Sequence, residues 1–145
     1  MTDFFVDTNV FLRFLTEDIP EQAQAVERLL RRAISGQIGL RTSALVLAEI
    51  VWTLESYYRL SRDEVSEKVL AILNTHGLRV ESADLIAEAI MLYRGKGIDF
   101  VDAFNAVWMR EHEIGTAITF DARHFNRVES IQVKTPQEAA PATTQ

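Results

Sequence analysis

Short apolar runs with strand preference alternate with longer helical segments along this chain, and this alternation limits its folds more than any other feature. The runs predicted as strands cover residues 4–6, 38–40, 78–80 and 117–120, with residues 131–133 as a candidate fifth strand at the sheet edge. Strands that alternate with helices imply right-handed crossovers and a parallel sheet covered by helices on both faces. We therefore predict an α/β fold, a three-layer α/β/α sandwich around a central, mainly parallel sheet of four to five strands.

Helix start signals support the helical segments between these strands. Thr42 or Ser43 is placed to cap a long apolar helix that follows the second strand. Ser61 with Glu64 three residues later is a capping box, which predicts the start of a further helix. The order of elements is therefore marked by capping residues as well as by apolar periodicity.

The composition excludes several classes of protein and of site. The 145 residues include no cysteine, which excludes disulfide frameworks and thiolate metal sites and fits a cytoplasmic protein. No segment reaches the roughly 18 uninterrupted apolar residues of a membrane span, and the first residues lack the basic region of a secretory signal. The formal charge of −6 argues against attraction of nucleic acid to the whole surface, but it leaves room for a local phosphate site. We expect one domain over residues 1–136 and a flexible tail over residues 137–145.

Two aspartates follow predicted strands at the point where each strand ends. Asp7 comes directly after residues 4–6, and Asp121 directly after residues 117–120. Ligands collect at the carboxyl ends of strands in open parallel sheets, so both side chains lie where such a fold has its active site. Asp7 by itself is explained equally well as the cap of the next helix. If the two strands are neighbours, the two carboxylates lie side by side and need a cation to offset their repulsion.

Further carboxylates stand in apolar helical segments. Glu49 interrupts the run Ala-Leu-Val-Leu-Ala-Glu-Ile-Val-Trp, which predicts a helix buried on all sides. A lone carboxylate there needs a hydrogen bond, a metal or an ion pair, for which Arg41 is the alternative partner. Asp102 has mainly apolar neighbours, and Asn105 lies on the same side of the helix, where it could hydrogen-bond the carboxylate. Asp99 precedes the same helix, where capping alone explains an acidic residue.

The acids together predict an oxygen-only cluster made of Asp7, Glu49, Asp102 and Asp121. Hard carboxylate ligands, without cysteine or a plausible pair of histidines, favour Mg²⁺ or Mn²⁺ over zinc. The three histidines are scattered along the chain, and we expect each at the surface. His124 is the one of interest, because it follows Asp121 closely.

In this order and in a chain this short, these segments resemble the PIN domains, and among them the VapC-type toxins of prokaryotic toxin–antitoxin pairs. The resemblance runs from Phe5 to Pro136. It rests on Val-Asp-Thr-Asn-Val at 6–10, Thr-Ser-Ala at 42–44, Ala-Glu-Ile at 48–50, Asp-Phe-Val-Asp-Ala at 99–103 and Thr-Phe-Asp at 119–121. Phe125 falls four residues after Asp121, where many relatives have three, so a displaced short helix is expected there.

The resemblance implies a fold, an activity and roles for individual residues. It implies a Mg²⁺- or Mn²⁺-dependent ribonuclease, usually a homodimer, that is restrained by a cognate antitoxin protein. The family's acidic ligands carry over to Asp7, Glu49, Asp102 and Asp121, with Asp99 as a frequent extra ligand. Supporting polar positions match Thr8 or Asn9, and Thr119. Candidates for contacts with the RNA backbone are Arg13, Arg41 and Lys96, and splayed single-stranded RNA is the usual form of target.

Three other functions fit parts of the pattern. A response-regulator receiver domain shares the length, the parallel sheet and the acidic magnesium pocket, but the predicted strand at 78–80 lacks its acceptor aspartate. A haloacid-dehalogenase-type phosphatase needs a second aspartate that Asp7-Thr8-Asn9 does not contain. A non-catalytic PIN-fold protein that acts only by binding is the remaining alternative. Magnesium-dependent cleavage of RNA separates it from a nuclease.

Overall fold

Strands and helices alternate along the chain, as the sequence predicts. The computed structural model describes residues 2–143, and within this range it has five strands, seven α-helices and one 3-10 turn. The chain divides into two compact units at the junction between Ala87 and Glu88, which falls inside α5 (Ala83–Lys96). Each unit contains its own set of parallel strands.

The first unit contains a three-stranded parallel sheet. Its strands, in their order across the sheet, are β1 (Asp3–Phe5), β2 (Gly39–Thr42) and β3 (Leu78–Val80). The central strand β2 pairs with both neighbours, so that Leu40 lies opposite Phe4 on one side and Leu78 on the other. The helices of this unit are α1 (Thr8–Thr16), α2 (Pro20–Ile34), α3 (Ala44–Ser56) and α4 (Arg62–Leu73).

The core of the first unit combines the central strand with the apolar faces of its helices. Helix α1 packs on α2 and α3, α3 packs on α4, and α4 contacts β3. The side chains that fill this core come from β2 and, at helical spacing, from α3 and α4. Examples that are almost completely buried are Leu40, Leu47, Ile50, Leu54, Val65 and Val69. Burial of each such side chain contributes about 1.5–3 kcal/mol relative to exposure.

Side-chain caps begin two helices where the sequence predicts them. The Ser43 hydroxyl accepts a hydrogen bond from the Val46 N–H at 3.3 Å, which makes Ser43 the cap of α3. Ser61 and Glu64 form the predicted capping box of α4, with both hydrogen bonds at 3.1 Å. These bonds satisfy first-turn N–H groups that have no partner within the helix.

Gly77 allows the tight turn that leads into β3. Its φ angle of +85° is in the left-handed region, and a Cβ atom at this position would lie 2.4 Å from the carbonyl oxygen of Ala33. The turn therefore passes directly against the end of α2, and the position requires glycine for both its backbone conformation and its lack of a side chain.

The second unit is built around α6 (Phe100–Glu111) and a pair of short parallel strands. These strands are β4 (Thr116–Ile118) and β5 (Gln132–Lys134), and the 3-10 turn (Phe125–Arg127) lies between them in the chain. Helix α7 (Pro136–Ala139) follows β5 and contacts it. The core side chains come from α5, from the loop after it and from α6, and include Ile90, Tyr93, Ile98, Phe100, Ala103 and Val107.

The predicted α/β class and the parallel direction of the strands are confirmed. The sequence predicts one sheet of four to five strands, whereas the hydrogen bonds among residues 2–143 group the strands as three and two. A strand-forming segment is encoded locally, but its partner is chosen by tertiary packing, and strands of three residues offer few hydrogen bonds for that choice. β4 also ends at Ile118, earlier than predicted.

A short helix lies near the end of the described chain. Residues 136–139 form α7, which has a capping box of its own. Thr144 and Gln145 lie outside the described residues, so the flexible tail over 137–145 and the domain boundary at 136 stay predictions. None of the helices between residues 2 and 143 has the length and the apolar character that a membrane crossing requires.

Candidate metal centre

Two carboxylates and one imidazole converge at the start of α6 in the second unit. The ligand atoms of Asp99, Asp102 and His124 all lie within 4.8 Å of one another, and we call these three residues the α6 cluster. Asp99 directly precedes α6, Asp102 lies in its first turn, and His124 directly precedes the 3-10 turn. The other predicted ligands, Asp7, Glu49 and Asp121, belong to no such group of three within residues 2–143.

Asp99 occupies the N-cap position of α6, but its side chain does not cap the helix. Among the described residues, its carboxylate accepts no hydrogen bond from the first-turn amides. Its backbone carbonyl accepts a hydrogen bond from the Ala103 N–H at 2.8 Å, and its own N–H donates to Nδ1 of His124 at 3.2 Å. Capping by the carboxylate therefore does not explain Asp99, whose side chain belongs to the α6 cluster.

His124 and Asp102 make the closest contact in the cluster. Nδ1 of His124 lies 2.9 Å from Oδ2 of Asp102. When Nδ1 carries a proton it donates to Asp102, and when it carries none it can accept the N–H of Asp99. One nitrogen cannot do both at once, so the tautomer and charge of His124 decide which bond forms. Both side chains are partly exposed and can be reached from solvent.

The donor set of the α6 cluster fits a divalent cation. Two carboxylates at this separation repel each other, and a cation between them offsets that repulsion. Carboxylate oxygens are the ligands that Mg²⁺ and Mn²⁺ prefer, and an imidazole nitrogen is a ligand that transition metals accept readily. The sequence predicts carboxylate oxygens alone, whereas in the structure His124 lies beside Asp99 and Asp102.

Asp121 follows β4 as predicted, but Arg123 engages its carboxylate. Nη2 of Arg123 donates to Oδ2 at 2.7 Å, and Nε donates to Oδ1 at 2.9 Å. The side-chain hydrogen bond from Arg123, followed by one from its backbone N–H, lowers the pKa of Asp121 to about 2. The Asp121 N–H donates to Oγ1 of Thr119 at 3.0 Å, so Thr119 holds the turn that carries Asp121.

Asp7, in the first unit, is the N-cap of α1. Its Oδ1 atom accepts the N–H of Thr8 at 2.8 Å, and its side chain is exposed. This confirms the capping role, which uses one carboxylate oxygen. Thr8 is buried, and its hydroxyl has no hydrogen-bond partner among the described residues. Asn9, the other supporting position, is exposed.

Glu49 lies on an exposed face of α3, so the prediction of a helix buried on all sides is wrong. Val46, Leu47, Ile50, Val51 and Leu54 form its buried face. Leu45 and Trp52 lie on the same exposed face as Glu49 and are 82% and 69% exposed. Apolar residues at these exposed positions conceal the amphipathic pattern, which is why the sequence suggests a fully buried helix.

The predicted basic and amide residues lie at separate places in the structure. Arg13 contacts Gln22 at 2.9 Å and Asp18 at 3.6 Å, which ties it to the connection between α1 and α2. Arg41 is exposed on β2, Asn105 is exposed on α6, and Lys96 is the last residue of α5. The predicted roles of these residues in binding RNA or supporting the site therefore stay predictions.

Three residues around the candidate site have no role assigned to them from the sequence. These are Arg123, which contacts Asp121, together with His124, which precedes the 3-10 turn, and Arg127, which ends it. His124 and Arg127 both reach the segment before α6. The only signal for His124 was its closeness to Asp121 in the chain. Arg123 and Arg127 resemble ordinary surface arginines in the sequence, because their partners are known only from the fold.

Two solved structures align with nearly the whole chain. One is the crystal structure of VapBC2 from Rickettsia felis bound to a DNA fragment from their promoter, with a TM-score of 0.38, 17% identity, and coverage of 93% of this chain and 98% of the other. The second is a toxin–antitoxin complex from Klebsiella pneumoniae, with a TM-score of 0.33, 21% identity, and coverage of 92% and 98%. Both superpositions are loose and carry no weight for function.

Two matches at the level of sequence identify the family of this chain. The chain is 30% identical to the VapC ribonuclease of Aquifex aeolicus (strain VF5) over 118 residues, which are 81% of this chain and 87% of that protein. The family model of the PIN domain matches residues 4–131, a range that contains all of the acidic residues discussed above. Together these two matches show that this chain belongs to the PIN domain family.

Proposed function

We propose that this chain is a divalent-metal-dependent endoribonuclease and the toxin of a toxin–antitoxin pair. The observation that carries the proposal is the α6 cluster, in which Asp99, Asp102 and His124 bring their ligand atoms within 4.8 Å in a PIN domain. Similarity to a VapC ribonuclease supports RNA as the substrate. Membership of the PIN family removes the receiver-domain and phosphatase alternatives.

Each acidic residue has a defined part in this proposal. Asp99, Asp102 and His124 would hold the cation, and Mg²⁺ or Mn²⁺ suits these ligands. A bound divalent cation supplies positive charge to the scissile phosphate and activates water for its hydrolysis. Asp7, Glu49 and Asp121 are assigned as further ligands on the resemblance of their sequence segments to the family. For Asp121, this role requires Arg123 to release its carboxylate.

The other residues would bind and orient the substrate. Lys96 ends α5 shortly before Asp99, which makes it the basic candidate nearest in sequence to the cluster. Arg13 and Arg41 are proposed as contacts with the RNA backbone, with Thr8, Asn9, Thr119 and Asn105 as supporting polar residues. Because the net charge is −6, attraction of RNA depends on such local cations and on the bound metal.

The proposed partners are a cognate antitoxin and a second copy of this chain. The resemblance of the acidic sequence segments to VapC-type toxins supports a cognate antitoxin that restrains the enzyme, and we expect a homodimer. A chain without cysteine fits the reducing cytoplasm, where the RNA substrate is found. An antitoxin segment that covers the acidic residues would block the metal and the RNA together.

A second candidate is a PIN-fold protein that binds RNA or protein without cleaving it. The ion pair between Arg123 and Asp121 favours this alternative, because it occupies a carboxylate that the family uses as a ligand. If this ion pair persisted in the presence of metal, the ligand set would remain incomplete.

Cleavage of single-stranded RNA with and without metal decides between the two. The purified protein is incubated with mixed RNA in Mg²⁺ or Mn²⁺ and in EDTA, beside Asp102→Asn and the control Glu111→Gln. Glu111 is an exposed acid on the same helix and lies outside the α6 cluster. Metal-dependent cleavage by the wild type and the control, lost in Asp102→Asn, supports the nuclease. Retention of RNA without cleavage in any metal supports the binding protein.

A further inference from the structure

The 3-10 turn presents two side chains to the segment that leads into α6. The N–H of Arg127 donates to the carbonyl of His124 at 3.0 Å, which is the hydrogen bond that closes the turn. Residues three positions apart eclipse each other in this geometry, so His124 and Arg127 lie on the same side. Both reach the segment 97–99, which ends at Asp99.

Arg127 holds the beginning of that segment. Its Nη1 atom donates to the carbonyl oxygen of Gly97 at 2.9 Å and lies 3.5 Å from the carbonyl oxygen of Lys96. The Lys96 carbonyl ends α5 and the Gly97 carbonyl follows it, at the end of the helix where the dipole favours a cation. Gly97 has a φ angle of +64°, which is in the left-handed region that residues with a side chain rarely adopt.

The end of the segment is held by the same turn. When Nδ1 of His124 carries no proton, it accepts the N–H of Asp99 at 3.2 Å, and Ile98, between the two contacts, is 1% exposed. Three successive residues are thus fixed by one arginine, one buried side chain and one histidine. The position of the Asp99 carboxylate relative to Asp102 depends on this short segment.

We propose that Arg127 is a positioning residue of the α6 cluster, an inference that rests on the proposed metal-dependent function. Arg127 touches no ligand atom of the cluster. It fixes the Gly97 carbonyl, and through the segment 97–99 it keeps the Asp99 carboxylate within reach of a cation held by Asp102 and His124. Arg127 is itself exposed, so its removal should change metal binding much more than folding.

The test measures Mn²⁺ affinity by calorimetry and the melting temperature in EDTA for a set of variants. Arg127→Met keeps the length of the stem and removes the donors, and we expect affinity to fall about 10- to 100-fold, as for other partners that orient metal ligands. Arg127→Lys, which offers a single flexible donor group, should restore part of the loss. Arg110→Met is the matched control, because Arg110 pairs with Glu88 outside the cluster, and it should bind Mn²⁺ like the wild type.

Gly97→Ala provides a second, independent variant. It retains Arg127 but strains the backbone at a positive φ angle, and the new Cβ would lie 3.4 Å from Nη1 of Arg127. We expect it to lose Mn²⁺ affinity as Arg127→Met does. If Arg127→Met does not fold, this variant decides, since wild-type affinity in Gly97→Ala overturns the proposal.

The outcomes separate this inference from the function on which it rests. If Asp102→Asn loses Mn²⁺ binding while Arg127→Met keeps it, the positioning role is overturned and the metal site stands. If the wild type binds no Mn²⁺, both fail. If Arg127→Met loses affinity with an unchanged melting temperature in EDTA, and Arg127→Lys recovers part of it, the positioning role is supported.

Discussion

Arg123 donates hydrogen bonds to both carboxylate oxygens of Asp121, with Nη2 2.7 Å from Oδ2 and Nε 2.9 Å from Oδ1. The two residues are only two positions apart, so the turn after β4 creates this ion pair by itself. The contact makes Asp121 more acidic and at the same time occupies the oxygens that a metal would need. Arg123 and a metal ion would therefore compete for the same carboxylate oxygens of Asp121.

Replacement of Arg123 by alanine should raise the pKa of Asp121 from about 2 towards its ordinary value of 3.8. Because the folded-state pKa is depressed, the pair stabilises the folded state above pH 3.8, and this contribution is lost as the pH falls through about 2. Carboxyl-carbon NMR titrations of the wild type and of Arg123→Ala measure the shift. A wild-type Asp121 that titrates at its ordinary value would contradict the ion pair.

Glu49→Gln should leave the free energy of unfolding within about 0.5 kcal/mol of the wild type, because Glu49 is exposed on α3. If Glu49 is a metal ligand, the same change should slow RNA cleavage at least about tenfold. Urea unfolding and a cleavage time course on one preparation measure both quantities. Glu55→Gln on the same helix is the control. Cleavage at the wild-type rate by Glu49→Gln would remove Glu49 from the ligand set.

Gly77 and Gly36 form a matched pair for the effect of a steric contact on stability. Both have positive φ angles, +85° and +81°, but a Cβ at Gly77 would meet Ala33 while a Cβ at Gly36 would meet nothing within 4 Å. Gly36→Ala should cost about 1–2 kcal/mol from backbone conformation alone. Gly77→Ala should cost about 1–3 kcal/mol more because of the added crowding. Equal losses in chemical denaturation would show that the turn before β3 can move away from α2.

Ser61 and Ser66 allow the contribution of two hydroxyl groups to stability to be compared at one helix, α4. The Ser61 hydroxyl accepts a hydrogen bond, whereas the Ser66 hydroxyl has no partner in the described chain. Ser61→Ala removes the cap and should destabilise the protein by about 1 kcal/mol. Ser66 is completely buried, and its hydroxyl has no partner in the described chain, so Ser66→Ala should be neutral or stabilise by up to about 1 kcal/mol. Thermal or urea unfolding of the two variants is the measurement. A loss in Ser66→Ala as large as that in Ser61→Ala would reveal a hydrogen bond at Ser66.

The sequence by itself determined the features that depend on near neighbours in the chain. The caps at Ser43 and Ser61, the five short strands and their parallel direction agree with the structure, because capping, periodicity and crossover rules act over a few residues or one connection. The segment around Asp102 also pointed to the place where the α6 cluster forms. Family membership was visible in the order of short acidic segments.

Tertiary structure alone decided which groups meet. Glu49 is exposed although its neighbours in the chain are apolar, since the direction a helix face takes depends on what packs against it. His124 joins Asp99 and Asp102 from more than 20 residues away, and Arg127 reaches the Gly97 carbonyl across a similar separation. Contacts of this kind depend on how distant segments fold against each other, and the hydrogen-bond partner of a polar side chain is not encoded by its neighbours in sequence.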